Sequence, residues 1–146
     1  MDLKLPLRII LENPPKGVDF GLQLGSANKF ETVQKQRSGS ADLHFTLEVT
    51  VRKNKDGLPD FFGRYVQGPG LERFIYLRIG QAAGQLDSEW LRRLKIPLRY
   101  ISWDNINKVI STEMGILEAL VPGTGPDGRP NCATVKPFAG WHIANI

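Results

Sequence analysis

"LHFTLEVTVR", residues 43–52, sets the fold class. Leu43, Phe45, Leu47, Val49 and Val51 alternate with His44, Thr46, Glu48, Thr50 and Arg52. A period of two kept over ten residues turns one face to a core and the other to water, as in a half-buried strand. The run stops at "KNKDG", residues 53–57, a turn signal in which Gly57 can take positive φ.

Other stretches read the same way. "LPLRIILE", "VDFGLQLG", "FETVQKQ", "FFGRYVQ", "RFIYLRIG", "LKIPLRYI", "GILEALVP" and "ATVKPFAGWHI" are strand candidates. "NPPKG", "RSGSAD", "QGPG" and "PGTGPDGRPN" separate most of them. Short strands punctuated by Gly and Pro point to an all-β barrel or sandwich. Helices are few. "SWDNINKVI" offers Ser102 as N-cap with Ile106, Val109 and Ile110 on one face, and "DSEWLRR" is long enough for a single turn. The expectation is mostly β: an antiparallel closed or partly open barrel, with a two-layer β-sandwich as the alternative and one or two short helices. Pro6, Pro97 and Pro137 are expected on its edges, since proline cannot donate to a ladder.

The 146 residues suit one domain, 1–146, with no repeat or linker. At 41% hydrophobic and 23% charged, the composition is that of a soluble globular chain. No apolar run approaches the roughly 18 residues of a membrane helix, and Pro6 and Arg8 interrupt the N-terminal apolar stretch. With no signal peptide read there, cytoplasmic residence in a bacterium is expected. Cys132, the one cysteine, excludes an internal disulfide and a cysteine metal cluster. Residues 64–99 hold seven cations (Arg64, Arg73, Arg78, Arg92, Arg93, Lys95, Arg99) against Glu72, Asp87 and Glu89. That local excess equals the whole net charge of +4. A local cationic excess favours an anionic partner, although a solvated strand face is its plainer explanation.

Motif-like strings give little. "GTGPDG", residues 123–128, has the spelling of a dinucleotide fingerprint. Pro126 and Pro130 remove backbone donors, and "NCATV" continues as strand where the motif needs a helix. "GQAAG" lacks the Gly-Lys-Ser/Thr ending of a phosphate loop. His44 and His142 have no histidine, cysteine or carboxylate at metal-binding spacing, so no metal site is expected. Cys132 reads as a structural thiol and not as a nucleophile. No cofactor is expected, and no catalytic residue can be named.

One segment stands apart: "GQAAGQLDSEWLRRLKIP", residues 80–97. Gly80 and Gly84 permit close backbone approach, and Gln81 and Gln85 both donate and accept. Trp90 offers a flat face, and Arg92 and Arg93 carry forked donors suited to carboxylate or phosphate. A crowded corner between strands explains the same residues, with Trp90 and Leu91 plugging a barrel end. On the residues alone that plainer reading has the edge.

The runs "LRIILENPPKGVDFGLQ", "PDFFGRYVQGPGLERFIYLRIGQAAGQLDSEWLRRLKIPL" and "LEALVPGTGPDGRPNCATV" resemble a bacterial single-domain family catalogued as domain of unknown function 5990. The likeness covers most of the chain. It implies no activity, cofactor or substrate, and it suggests only that the 80–97 segment belongs to the family's own pattern.

Barrel mouths are common ligand sites, and the charge excess falls on this same segment. The leading functional expectation is therefore a small-molecule-binding module for an anion, through Gln81, Gln85, Trp90, Arg92 and Arg93, with Arg64 and Gln67 beside them. An enzyme without a classical nucleophile ranks second, using Arg and Gln for electrostatic stabilisation. Nucleic-acid binding through segment 64–99, with Phe62, Tyr65, Phe74, Tyr76 and Trp90 as stacking surfaces, ranks third and is disfavoured. No membrane partner is expected, and homo-oligomerisation stays open.

Overall fold

Alternation becomes burial along β4 (Leu43–Lys53): Phe45, Leu47, Val49 and Val51 are buried, while His44, Thr46 and Glu48 face water. The structure is a computed structural model that describes residues 2–26, 29–62, 74–79, 93–98, 101–112, 114–124 and 141–145. β1 (Leu3–Glu12) repeats the pattern, with Leu5, Leu7, Ile9 and Leu11 fully or almost fully buried. The other elements are β2 (Asp19–Ser26), β3 (Lys29–Arg37), β5 (Pro59–Phe62), β6 (Phe74–Ile79), β7 (Arg93–Pro97), α1 (Trp103–Ser111), β8 (Gly115–Pro122) and β9 (His142–Asn145).

These strands form two sheets among the described residues. The first has the order β5-β4-β1-β8-β9, the second β3-β2-β6-β7. Inward residues of both belong to one buried cluster that joins Leu7, Phe45 and Leu117 to Phe20, Leu77 and Leu94. The protein is mostly β and sandwich-like.

The expectation of a closed or partly open antiparallel barrel needs two corrections. First, no backbone ladder joins the sheets among the described residues. At one seam, β3 carries Gln36 and Gln34 opposite Phe20 and Leu22, on the side of the core. Their amide nitrogens donate to the backbone carbonyls of His44 (2.6 Å) and Thr46 (2.7 Å) on β4. The partners step in opposite directions by two, as in an antiparallel ladder. A side chain standing between two backbones, however, holds them further apart than the about 4.8 Å of a ladder. At the other seam, the Trp141 indole N–H donates to the Pro97 carbonyl at 3.1 Å, at a residue with no N–H of its own to offer.

Second, the sheet is not wholly antiparallel. β1 and β8 run parallel, from Leu7 opposite Leu117 to Glu12 opposite Pro122. The cause is the helical crossover: α1 returns the chain from the second sheet to the end of the first sheet where β1 begins. Pro97 does end an edge strand. Pro6 instead lies in an interior strand, just before the ladder with β8 starts at Leu7. Pro137 and the "DSEWLRR" turn lie outside the described residues.

α1 begins as its sequence requires. Ser102 accepts from the Asn105 backbone N–H, while the Asn105 side chain accepts from that of Ser102, a reciprocal cap. Ile106 and Val109 join the core, but Ile110, one 100° step further round, is exposed. Trp103 ties the helix to the β4–β5 turn by donating to the Gly57 carbonyl at 2.9 Å. Gly57 itself has φ +80°, the conformation the turn needs.

Candidate functional site

The strand registers sort the connections into two poles. β1 ends at Glu12 beside the start of β4 and the end of β8. β2 starts at Asp19 beside the ends of β3 and β6, and β6 ends where β7 starts. The Gln36–His44 contact brings the two sheets together at this same pole. The β1–β2, β3–β4, β6–β7 and β8–β9 connections all leave from it; α1 lies at the other.

At this pole the chain is drawn close on itself. The Gly123 N–H donates to the Glu12 carbonyl at 2.7 Å, and the Thr124 hydroxyl donates to the Asn13 carbonyl at 2.6 Å. The Asp42 carboxylate accepts from the Asn13 N–H at 2.9 Å. A Cβ at position 123 would lie 2.7 Å from the Glu12 oxygen and 2.8 Å from the Pro14 backbone. Gly123, the first residue of the dinucleotide look-alike, therefore serves close approach to its own chain. Glu12, Asn13, Pro122 and Thr124 line an open concavity of about 320 Å³ there. Just past the end of β3, Ser38 is buried, accepting from the Val18 N–H at 3.0 Å and donating to the Pro15 carbonyl.

Two buried carboxylates lie on outward-facing positions of the sheets. Glu118 on β8 stands opposite Arg8 on β1 and His142 on β9, so one acid sits between two bases across three adjacent strands. Arg8 Nε donates to Glu118 Oε2 at 2.6 Å, Arg8 Nη2 pairs with the same oxygen, and His142 Nε2 lies 2.9 Å from Oε1. Burial is the largest single influence on Glu118 and raises its pKa. The hydrogen bonds and charges of Arg8 and His142 together outweigh burial and hold the carboxyl below its ordinary value. An ionised Glu118 can only accept, so a neutral His142 carries its proton on Nε2 and keeps the Nδ1 lone pair free of Glu118. On the second sheet Asp19 is 1% exposed, with Arg37 Nε at 3.2 Å and Lys35 Nζ at 3.9 Å.

A family model described as "Family of unknown function (DUF5990)" matches residues 5–144. The chain belongs to that family. No curated protein and no solved structure matches it.

Of the residues expected to bind an anion in this DUF5990 chain, only Arg93 lies in a described strand: it opens β7, opposite Arg78 on β6. Gln81, Gln85, Trp90, Arg92, Arg64, Gln67 and Cys132 lie outside the described residues. His44 is exposed on β4, as its alternation implies. His142 does have a carboxylate beside it, one that sequence spacing does not reveal, because the β8–β9 ladder brings Glu118 to it from 24 residues away. A signal for this was present in "GILEALVP", where Glu118 is the lone acid of an apolar strand. Asp19 gave none, being one of several scattered acids. Among the described residues no group of three or more His, Cys, Asp or Glu side chains could hold a metal ion, and no helix is long and apolar enough to cross a membrane.

Proposed function

We propose that this DUF5990 protein is a small-molecule-binding module that takes an anion at the pole from which segment 80–92 leaves. One observation carries the reading: the described ends of that segment, Ile79 and Arg93, belong to paired strands at the pole where four connections gather. Paired strands anchored in a shared core make a firm base, and loops carried on such a base are where binding residues concentrate. The concavity beside Asn13 and Thr124 at the same pole supports it. The segment's own chemistry, with Gln81, Gln85, Trp90, Arg92 and Arg93, suits a carboxylate or phosphate.

The test is a thermal-shift titration of the wild-type protein with acetate, citrate, phosphate and pyrophosphate, repeated on Arg92→Ala and Arg93→Ala. A stabilising anion should bind roughly 10- to 100-fold more weakly to at least one variant, the loss expected for a charge-assisted hydrogen bond. Indifference of the wild type to every anion, or identical responses from both variants, would leave segment 80–92 as a corner between strands.

A further inference from the structure

Five large apolar side chains are exposed among the described residues, and three of them, Leu58, Ile110 and Met114, gather around α1. Leu58 follows Gly57, whose carbonyl accepts from Trp103, so it stands beside the first turn of the helix. Trp103 and Ile110 are seven residues apart, which puts them within about 20° of each other round the helix and about 10 Å apart along it. Asn107 lies between them on the same stripe and is exposed. Ile106 and Val109 turn into the core on one side of this stripe. On the other, Asp104 and Lys108 pair with each other at 3.0 Å in water. Met114 sits in the turn after the helix, which the Gly115 N–H closes onto the Thr112 carbonyl, and its φ is +64°. That left-handed backbone favours glycine, and a methionine there is strained while more than half of its surface is in water. Strain retained at an exposed residue points to a contact that its side chain makes.

We propose that this stripe joins two copies of the chain, α1 against α1, antiparallel about a two-fold axis. The surface complements itself. One register sets Trp103 opposite the partner's Ile110, Asp104 opposite the partner's Lys108, and Asn107 beside the partner's Asn107, all to within about one residue's rise. Each match between unlike residues occurs twice, as an isologous contact requires. Leu58 and Trp103 at one end of the stripe then receive the partner's Ile110 and Met114, which covers the exposed apolar surface of both copies. The exposed Asp104–Lys108 pair is weak by itself and exchanges readily for the same pair made across the axis. Asn107 has an amide that both donates and accepts, so it can bond its own copy and fix the register, as a single polar residue does in a helical seam. One short helix and two turns make a small contact, so the dimer belongs to the weak, transient class. The pole proposed for the anion lies at the other end of the sheets and is left open by this contact.

Sedimentation equilibrium of the full chain up to about 1 mM is the test, with thermal unfolding to check that each variant folds. Wild type should dimerise reversibly as its concentration rises. Ile110→Asp sets a charge in the apolar part of the contact twice over, and should weaken the dimer roughly 100-fold. Met114→Gly should weaken it about tenfold while leaving the unfolding temperature of the dilute monomer unchanged or higher, since the strain goes with the side chain. Asp104→Lys and Lys108→Asp should each self-associate less than wild type. An equimolar mixture of the two should associate at least as tightly as wild type, because opposite charges then meet across the axis. If Ile110→Asp does not fold, Met114→Gly and the charge variants decide. A wild type that stays monomeric throughout overturns the dimer. So does a dimer indifferent to Ile110→Asp and Met114→Gly, or a mixture no tighter than its components. A monomer that instead floats with phosphatidylglycerol vesicles, and loses this with Ile110→Asp, overturns it in favour of a lipid surface.

Discussion

Glu118 and Asp19 are both buried carboxylates with two basic partners among the described residues, one on the outward face of either sheet, and they are held in different ways. Around Glu118 the arginine is itself largely buried: the Arg8 side chain is 18% exposed and its guanidinium gives two contacts to one oxygen. Around Asp19 the acid is buried but the bases are not, with Arg37 and Lys35 at 60% and 53% exposure and 3.2 and 3.9 Å away. The first arrangement uses its charges inside the fold, locking β8 to β1 and β9. The second leaves its cations in water, where their residual field can act on a ligand. Burial of the acid alone does not separate a structural pair from an available one; burial of the base does.

Three measurements put this contrast at risk. The largest effect is expected from Glu118→Gln, which removes the buried carboxylate charge that faces the largely buried Arg8. Chemical denaturation should show a loss of about 3 kcal/mol, the lower end of what breaking a buried pair costs. A loss below about 1 kcal/mol would place Glu118 among surface pairs and erase the contrast.

Asp19→Asn should cost less, about 1–2 kcal/mol, because Lys35 and Arg37 can be solvated where they stand and only hydrogen bonds to a charged acceptor are lost. The same denaturation series measures it. A cost equal to that of Glu118→Gln would mean that the exposed bases depend on their acid as heavily as Arg8 does.

The smallest effect is the pH dependence. The Glu118 carboxyl is held below its ordinary value in the folded protein, so its stabilisation is present above the unfolded pKa of about 4.3 and is lost as pH falls through the lower folded value. Wild type should therefore lose more stability than Glu118→Gln between pH 6 and pH 3, narrowing the gap between them. Urea midpoints at the two pH values decide it. A gap that widens toward acid would reverse the sign of the shift.

Much of the fold was legible in the chain. The alternation of β4 and β1, the turn at Gly57 and the Ser102 cap follow from neighbours a few residues apart, and each is found where the residues put it. The proteins of this architecture differ in how the strands are dealt into sheets, and alternation is silent on that. Gln34 and Gln36 did carry a hint, being polar at the inward positions of β3, but the hint has meaning only once β4 is known to lie across the seam.

The candidate site divides along the same line. The residues alone establish the strand-rich composition, the family membership and a cationic excess confined to residues 64–99. It takes the folded chain to bring Arg8 to Glu118 across 110 residues, and to set Arg93 opposite Arg78. The reason is geometric. A pleated strand sets the face of each residue locally, every second one alike, whereas the residue lying beside it is set by strand order and register. Those are chosen by how the whole core packs.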